Sequence, residues 1–491
     1  MITVFDTTLR DGEQTPGVSF STAQKHSIAV QLSDLGVHTI EAGFPASSAG
    51  ERESVRAIAA MNLDAEICGL ARALKSDVDA CLDCDVDLVH VFIPTSDIQR
   101  VNTIKKTREQ VLASTSAIIE YVREHHDQCM FSPMDATRTE PAYLLEVCKA
   151  AAAAGATIIN LPDTVGIASP TSMAAMVRGI ASEVDPIIDV HCHNDFGLAV
   201  ANTTLAVEAG ARQVQVTVNG IGERAGNADL AQTVMVLESI YGIKTGIRTE
   251  KIVETSTLVS RFSGISMPPM QPVVGENAFS HESGIHSQGV LANSATFEPG
   301  IMTPEMVGHR RRLTLGKHVG RHAVRQMLLD AHLETTDQQL NLIVEKVKAI
   351  ADKGKRVTDS DLYAIGEGVL GIEEGPKAMD LADIAIMTGN HMIPTASVRA
   401  IWQGEERVVS CVGNGPVDAA LNAIGTFLPA EVRLKDFRIE AISGGSDAIC
   451  HVTIAVEDQK GRIVDAGASG DDIVLTSTEA MVNAINLLYR L

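Results

Sequence analysis

Aromatic residues are scarce in this chain: of 491 residues only 3% are Phe, Trp or Tyr, with a single Trp and five Tyr. Its core must therefore be built from Ala, Val, Ile and Leu, a palette that suits an α/β protein. Basic charge is also in short supply, with 40 Lys and Arg against 62 Asp and Glu and a formal net charge of −22. An acidic excess of that size repels phosphate backbones and anionic head groups, which argues against nucleic-acid or membrane-surface binding. Any anionic substrate must then meet a local basic or metallic site. No stretch approaches the roughly 18 consecutive apolar residues of a spanning helix. The opening Met1-Ile2-Thr3-Val4-Phe5 is strand-like, without a charged segment followed by an apolar one, so the expected location is cytoplasmic. The eight cysteines form no short-spaced framework, as in a reducing compartment. Cys81 and Cys84 do make a C-x-x-C. With no second pair nearby, they are expected on an ordinary helix surface rather than in a zinc or redox site.

A chain of this length exceeds the roughly 250–300 residues at which single cores stop growing, so at least two domains are expected. Its first half repeats one unit, a short apolar run followed by a stretch of helical periodicity. Eight such runs occur: Ile2 to Phe5, His38 to Ala42, Ala65 to Gly69, Leu88 to Phe92, Gln128 to Ser132, Thr157 to Leu161, Ile187 to His193 and Gln213 to Asn219. Eight β-runs alternating with helices predict a (β/α)8 TIM barrel, whose reactive groups sit where strands end. The fold class expected is α/β, with the barrel over 1–270, a helical connector over 271–382, and a small α+β domain over 383–491.

Pro268, Pro269 and Pro272 mark the exit from the barrel. In the connector, Thr336 and Gln339 resemble a capping box ahead of Leu340, Ile343, Val344, Val347 and Ile350 at helical spacing. A basic cluster, His309 to Arg312 with Lys317, His318, Arg321 and His322, stands out in an acidic chain. It could meet the phosphates of a cofactor or form surface ion pairs. In the tail, strand-like Ser397 to Trp402, Arg438 to Ile442 and His451 to Val456 accompany two similar segments, Asp418 to Ile424 and Glu479 to Ile485. Two copies of a strands-then-helix unit predict an internal pseudo-repeat.

His191 and His193 lie two apart at the end of run seven, so they project from one face and can share an ion. Run one ends in Asp6-Thr7-Thr8-Leu9-Arg10-Asp11-Gly12-Glu13-Gln14, and barrel closure brings Asp11 beside the two imidazoles. Asn227, in the loop after strand eight, can supply a fourth ligand. Such a mixed N/O site suits Mg2+, Mn2+, Co2+ or Zn2+, acting as a Lewis acid on a carbonyl oxygen. Gly222, Glu223 and Arg224 follow strand eight, where barrels commonly bind phosphates, and are candidates for a phosphorylated cofactor.

D-T-T-L-R-D-G-E-Q at Asp6 to Gln14, H-C-H-N-D-F-G at His191 to Gly197 and N-G-I-G-E-R-A-G-N at Asn219 to Asn227 together resemble a family of acetyl-CoA-dependent condensing enzymes. These are the 2-isopropylmalate, citramalate and homocitrate synthases. The resemblance covers the whole chain. It implies Asp11, His191, His193 and Asn227 as metal ligands, and Arg10 as the group that stabilises the developing alkoxide. It also implies Thr164 as a binder of the substrate carboxylate, with His90 and Ser132 in the substrate pocket. His286, in Asn277 to His286, would be the base that deprotonates acetyl-CoA; lying beyond the barrel, it could come from the second subunit of a dimer. The tail would bind an amino-acid effector such as leucine. Two departures stand out. Where relatives usually read S-x-E-D this chain has Ser132-Pro133-Met134-Asp135, leaving Asp135 as the nearest replacement carboxylate, and Gln288 stands where many carry Asp.

Glu41 to Pro45 and Ile67 to Arg72 look like the 2-isopropylmalate synthase versions of those strand ends, making 2-oxoisovalerate the expected substrate. Citramalate synthase, using pyruvate, is the alternative. Homocitrate synthase comes next, with His90 as partner for a distal carboxylate. Outside the synthases, a metal-dependent barrel lyase would lack the duplicated tail, and a catalytically silent metabolite sensor would lack His286.

Overall fold

The computed structural model describes residues 1–281, 296, 300–313, 315–352, 357–371, 377–428, 432–441, 450–458 and 462–490. The chain divides into two compact units, Met1–Phe279 with Glu298–Arg311, and Ser280–Phe297 with Arg312–Leu491.

In the first unit eight parallel strands close into a barrel: β1 Thr3–Asp6, β2 Thr39–Gly43, β3 Glu66–Arg72, β4 Leu88–Pro94, β5 Cys129–Met134, β6 Ile158–Asp163, β7 Ile187–Cys192 and β8 Gln213–Val216. Closure is made by β1, in which Phe5 stands opposite Thr39 of β2 on one side and Gln215 of β8 on the other. Alternation along each strand sorts the side chains. Val4, Ile40, Val89, Phe131, Ile159, Val190 and Val214 join the core under the helices, with Ile28, Leu32 and Ile58. Phe5, Cys68, Leu88, Met130 and Ile158, from the alternate positions, form a separate buried cluster inside the barrel. Each sequence run lands on a strand. The last two strands stop earlier than expected, at Cys192 and Val216; just past the second, Val218–Gly220 turns with Asn219 at φ 63°.

The helices are punctuated as the residues dictate. Helix Thr22–Leu35 starts from a Ser21/Gln24 capping box and ends at Gly36, φ 95°, where a Cβ would lie 2.9 Å from the Gly246 carbonyl oxygen. The final barrel helix, Ile252–Ser263, stops at Gly264 (φ 72°), four residues before the prolines. Cys81 and Cys84 are not on a helix surface. Both are buried, with their thiols toward the Leu70 and Arg52 carbonyl oxygens, and burial pushes both thiols up. They are packing residues, paired with backbone oxygens.

In the second unit, helices Arg321–Asp330, Asp337–Ala351 and Asp359–Leu370 share a core of Val324, Leu328, Leu340, Ile343, Val347 and Leu362. The Thr336/Gln339 capping box is formed. Of the basic cluster, Arg321 pairs with Asp337. Beyond it, antiparallel strands Met379–Gly389, Met392–Trp402 and Glu405–Val412 precede helix Pro416–Gly425, and strands Arg433–Ala441, Cys450–Glu457 and Ile463–Gly470 precede helix Ile473–Arg490. This is the strands-then-helix unit twice, with Val398, Trp402, Ile424, Val452, Ile454 and Ile485 in one core. Glu405–Val412 and Ile463–Gly470 had escaped sequence reading for opposite reasons. The first opens on three charged residues and is largely exposed; the second is rich in Ala and Gly, poor strand formers. No described helix is long and apolar enough to cross a membrane.

Phe5 is completely buried at the centre of the barrel. Phe5→Ala is expected to cost about 3–5 kcal/mol, seen as lost hydrogen-exchange protection across the barrel strands; unchanged protection would contradict a filled interior.

Candidate active site

The loop after β1 is folded by its own polar residues. Asp6 accepts from the Thr8 amide at 2.8 Å and from the Thr8 hydroxyl at 3.0 Å, and that hydroxyl accepts from the Val218 amide at 2.9 Å. The Thr7 carbonyl then takes the amides of both Arg10 and Gly12, a tight turn that presents Arg10 and Asp11 over the barrel rim.

Arg10 is nearly buried and lies between two carboxylates, its Nη1 2.6 Å from Asp11 Oδ2 and its Nε 2.6 Å from Glu41 Oε2. Burial opposes charge on both acids, yet the adjoining guanidinium overrides it and holds both carboxyls below the usual range. From Glu41 a chain of polar contacts runs along the rim. Glu41 Oε1 meets His90 Nδ1 at 2.7 Å, His90 Nε2 meets Ser132 Oγ at 2.6 Å, and Asn160 Nδ2 donates to Ser132 Oγ at 2.8 Å. Glu41 and Asn160, both on barrel strands, are the two ends of this chain.

On the other side of Arg10, Asp11 meets the two histidines. Its Oδ2 is 3.8 Å from His191 Nε2 and 4.0 Å from His193 Nε2, and those two nitrogens are 3.1 Å apart. His193 lies just past β7, where its backbone bridges to Asn227. Burial pushes both imidazoles down, His191 to about 3, so they are neutral and their ring nitrogens can offer lone pairs. Asn227 Nδ2 donates to Asp11 Oδ1 at 2.8 Å and to the Ile221 carbonyl at 3.1 Å, leaving its Oδ1 buried with no hydrogen-bond partner. Two imidazole nitrogens 3.1 Å apart, a charged carboxylate and an amide oxygen with no hydrogen-bond partner among the described residues are groups that could hold a divalent cation. Asp11, His191 and His193 group closely enough to hold one ion. Glu41, Cys68 and His90 do so too, but there Glu41 is already paired and burial keeps the Cys68 thiol protonated.

The remaining expected residues have defined places. Gly222 packs so tightly that a Cβ would lie 2.1 Å from Asn227 Nδ2, and the Glu223 amide donates to Asp11 Oδ1 at 3.3 Å. Arg224 bonds Asp195 at 2.8 Å and the Thr164 carbonyl at 2.8 Å, tying together the loops after β6, β7 and β8. Thr164 Oγ1 accepts from the Asp135 amide at 2.9 Å. Asp135 does not replace the missing carboxylate. Its side chain is buried against Arg138, 2.7 Å away, and the Ser96 hydroxyl, with its backbone left-handed at φ 67°. His286 and Gln288 lie outside the described residues.

Comparison with known proteins agrees with this arrangement along the whole chain. The HMGL-like family matches residues 1–259, the homocitrate synthase post-HMGL domain-like family residues 273–355, and the LeuA allosteric (dimerisation) domain residues 356–489. A protein of Methanosarcina mazei named "Probable 2-isopropylmalate synthase" is 60% identical over 492 residues, covering 100% of this chain and 95% of its own. The 2-isopropylmalate synthase of Methanocaldococcus jannaschii is 50% identical, covering 98% and 94%. The chain belongs to the 2-isopropylmalate synthase family. An (R)-citramalate synthase of Methanocaldococcus jannaschii is also similar, at 44% identity and full coverage of both chains. In this synthase-family chain the duplicated tail expected to be missing from a barrel lyase is present.

The Arg10 clamp yields a pH test. A carboxyl whose folded pKa lies below its unfolded one contributes stability above the unfolded value and loses it as pH falls toward the folded one. Glu41, ordinarily near 4.5, is lowered in this way. Glu41→Gln is therefore expected to cost about 3 kcal/mol at neutral pH, with the gap to wild type narrowing as pH falls below about 4.5. A gap independent of pH in denaturant titrations would mean that charge pairing is not its source.

Proposed function

We propose that this chain is a 2-isopropylmalate synthase, an acyltransferase that joins the methyl carbon of acetyl-CoA to the keto carbon of 2-oxoisovalerate and, after thioester hydrolysis, releases 2-isopropylmalate and CoA. The observation that carries the reading is the Asp11, His191 and His193 cluster beside Arg10, in a chain whose relatives of that name align along its length. Asp11, His191, His193 and Asn227 would hold a divalent cation such as Mg2+, Mn2+, Co2+ or Zn2+, which when bound supplies a Lewis acid for the chelating 2-oxo acid.

Arg10 uses one N–H on Nε and one on Nη1 for its two carboxylates, which leaves three of its five for the oxygen that gains charge as the new carbon–carbon bond forms. Glu41 and Asp11 keep that guanidinium in place. Thr164 accepts through Oγ1 from the Asp135 amide, so its own hydroxyl proton is available to the substrate carboxylate. His286 is assigned to remove the methyl proton of acetyl-CoA, a task open to histidine because the unperturbed pKa of an imidazole is about 6.5. His90 and Ser132 line the substrate pocket; Gly222 to Arg224 are assigned to the neighbourhood of CoA.

The choice of 2-oxo acid rests on the inward positions of β3 to β5. Leu70, Phe92 and Met134 continue, toward the mouth, the alternation that puts Cys68, Leu88 and Met130 inside. An aliphatic, aromatic and thioether wall favours a branched apolar substituent over the distal carboxylate of 2-oxoglutarate. It separates 2-oxoisovalerate from pyruvate by only about 1–3 kcal/mol, and citramalate synthesis is the second reading. The LeuA-type tail supports a homodimer and leucine as effector.

With Mg2+ or Mn2+, the protein is expected to release CoA thiol from acetyl-CoA on addition of 2-oxoisovalerate, and to lose that activity reversibly with a chelator. Higher kcat/KM with pyruvate would transfer the reading to citramalate synthesis, and no thiol release with any 2-oxo acid would end it. Arg10→Gln is expected to lower kcat about 10²–10³-fold; a change in KM alone would remove Arg10 from the alkoxide. Leucine should inhibit, and a rate indifferent to leucine would remove it as effector.

A further inference from the structure

Inside the barrel, below the rim, two side chains make a path to His191. Gln215 of β8 stands opposite His191 of β7, and its Oε1 meets His191 Nδ1 at 2.9 Å. The other end of the same amide, Nε2, donates to Asp189 Oδ2 at 2.7 Å and approaches Met130 Sδ at 3.6 Å. All three polar residues are buried, and the exposure of Asp189 is nil. His193 has no such support: its Nδ1 is buried without a hydrogen-bond partner.

An amide has one accepting and one donating end, and here Nε2 is turned to Asp189 Oδ2, which leaves Oε1 to His191. Oε1 can only accept. The His191 proton therefore sits on Nδ1, and the lone pair sits on Nε2, which faces Asp11 and His193. We infer that Gln215, oriented by Asp189, is a positioning residue that selects the ring nitrogen His191 presents to a divalent cation. The inference rests on the metal reading of the cluster. A carboxylate in direct contact with His191 would do the same orienting work but would add a buried negative charge beside Asp11 and Glu41. The amide contacts His191 through a neutral group and keeps the Asp189 carboxyl one residue further away.

Apoprotein titrated with Co2+ by calorimetry, with the visible spectrum of the bound ion as second readout, tests this. Gln215→Met, which has no acceptor, is expected to weaken Co2+ binding about 10–100-fold and alter the spectrum. Asp189→Asn, which leaves the amide free to turn over, should weaken it less. The double variant Asp189→Asn with Gln215→Glu puts a donor at 189 against an acceptor at 215, keeps an acceptor on His191 Nδ1 and adds a charge, and is expected to recover most of the lost affinity. Should Gln215→Met fail to fold, the single Asp189→Asn against the double variant decides. Equal affinities and spectra throughout would overturn the inference alone. A wild-type protein that takes up no Co2+ would overturn the metal reading and the inference with it.

Discussion

The site depends on one buried guanidinium. Arg10 holds Asp11 with one nitrogen and Glu41 with another, each at 2.6 Å. Those two acids anchor different parts of the rim: Asp11 belongs with His191, His193 and Asn227 near β1, β7 and β8, and Glu41 heads the chain through His90 and Ser132 to Asn160 on β4, β5 and β6. Taking three charges from water is costly, and hydrophobic replacements would often be as stable. What the arrangement secures is geometry. A guanidinium is a planar fork that cannot lose its proton, so satisfying both acids fixes its plane and with it the directions of its free N–H groups.

Charge accounting explains how an acidic protein can handle anions. Around Arg10 the nearby formal charges are one positive and two negative, with the two imidazoles neutral. A divalent cation among Asp11, His191 and His193 would turn that local −1 into +1. An anionic 2-oxo acid would then find an attractive centre in a chain of net charge −22, while bulk acidity would repel polyanions that lack a chelating group. The low local dielectric strengthens each of these terms relative to water.

The barrel was legible because a short apolar run and the helical periodicity after it are local properties. Eight repeats of that unit, from Ile2 to Asn219, imply closure. The histidine pair was legible for the same reason, being two apart on one strand. The partner choices were not. Glu41 reaches Arg10 and His90 across 31 and 49 residues, and Gln215 reaches Asp189 across 26, separations at which no spacing rule operates. Asp135 shows the converse failure. In the sequence it neighbours Met134 and looks available, but a left-handed backbone at φ 67° turns its carboxylate into Arg138 and Ser96. Cys81 and Cys84 failed for want of depth information, since a C-x-x-C on a helix reads alike whether its face meets solvent or the core.

Met134 gains meaning from that outcome. With Asp135 committed to Arg138, no carboxylate comes from this strand end, and the inward positions of β3 to β5 nearest the mouth include Leu70, Phe92 and Met134. Above the polar chain of His90 and Ser132 on these strands, the positions nearest the mouth are therefore apolar. A chelating 2-oxo acid has the same polarity, carboxylate and keto oxygens at one end and a hydrocarbon branch at the other. A thioether is also unbranched and polarizable, able to fill a pocket against substituents of slightly different size. A wall of this kind discriminates by fit and desolvation, at about 1–3 kcal/mol for a methyl group or two, whereas a carboxylate in the same place would have to be paired or protonated before an isopropyl group could lie against it.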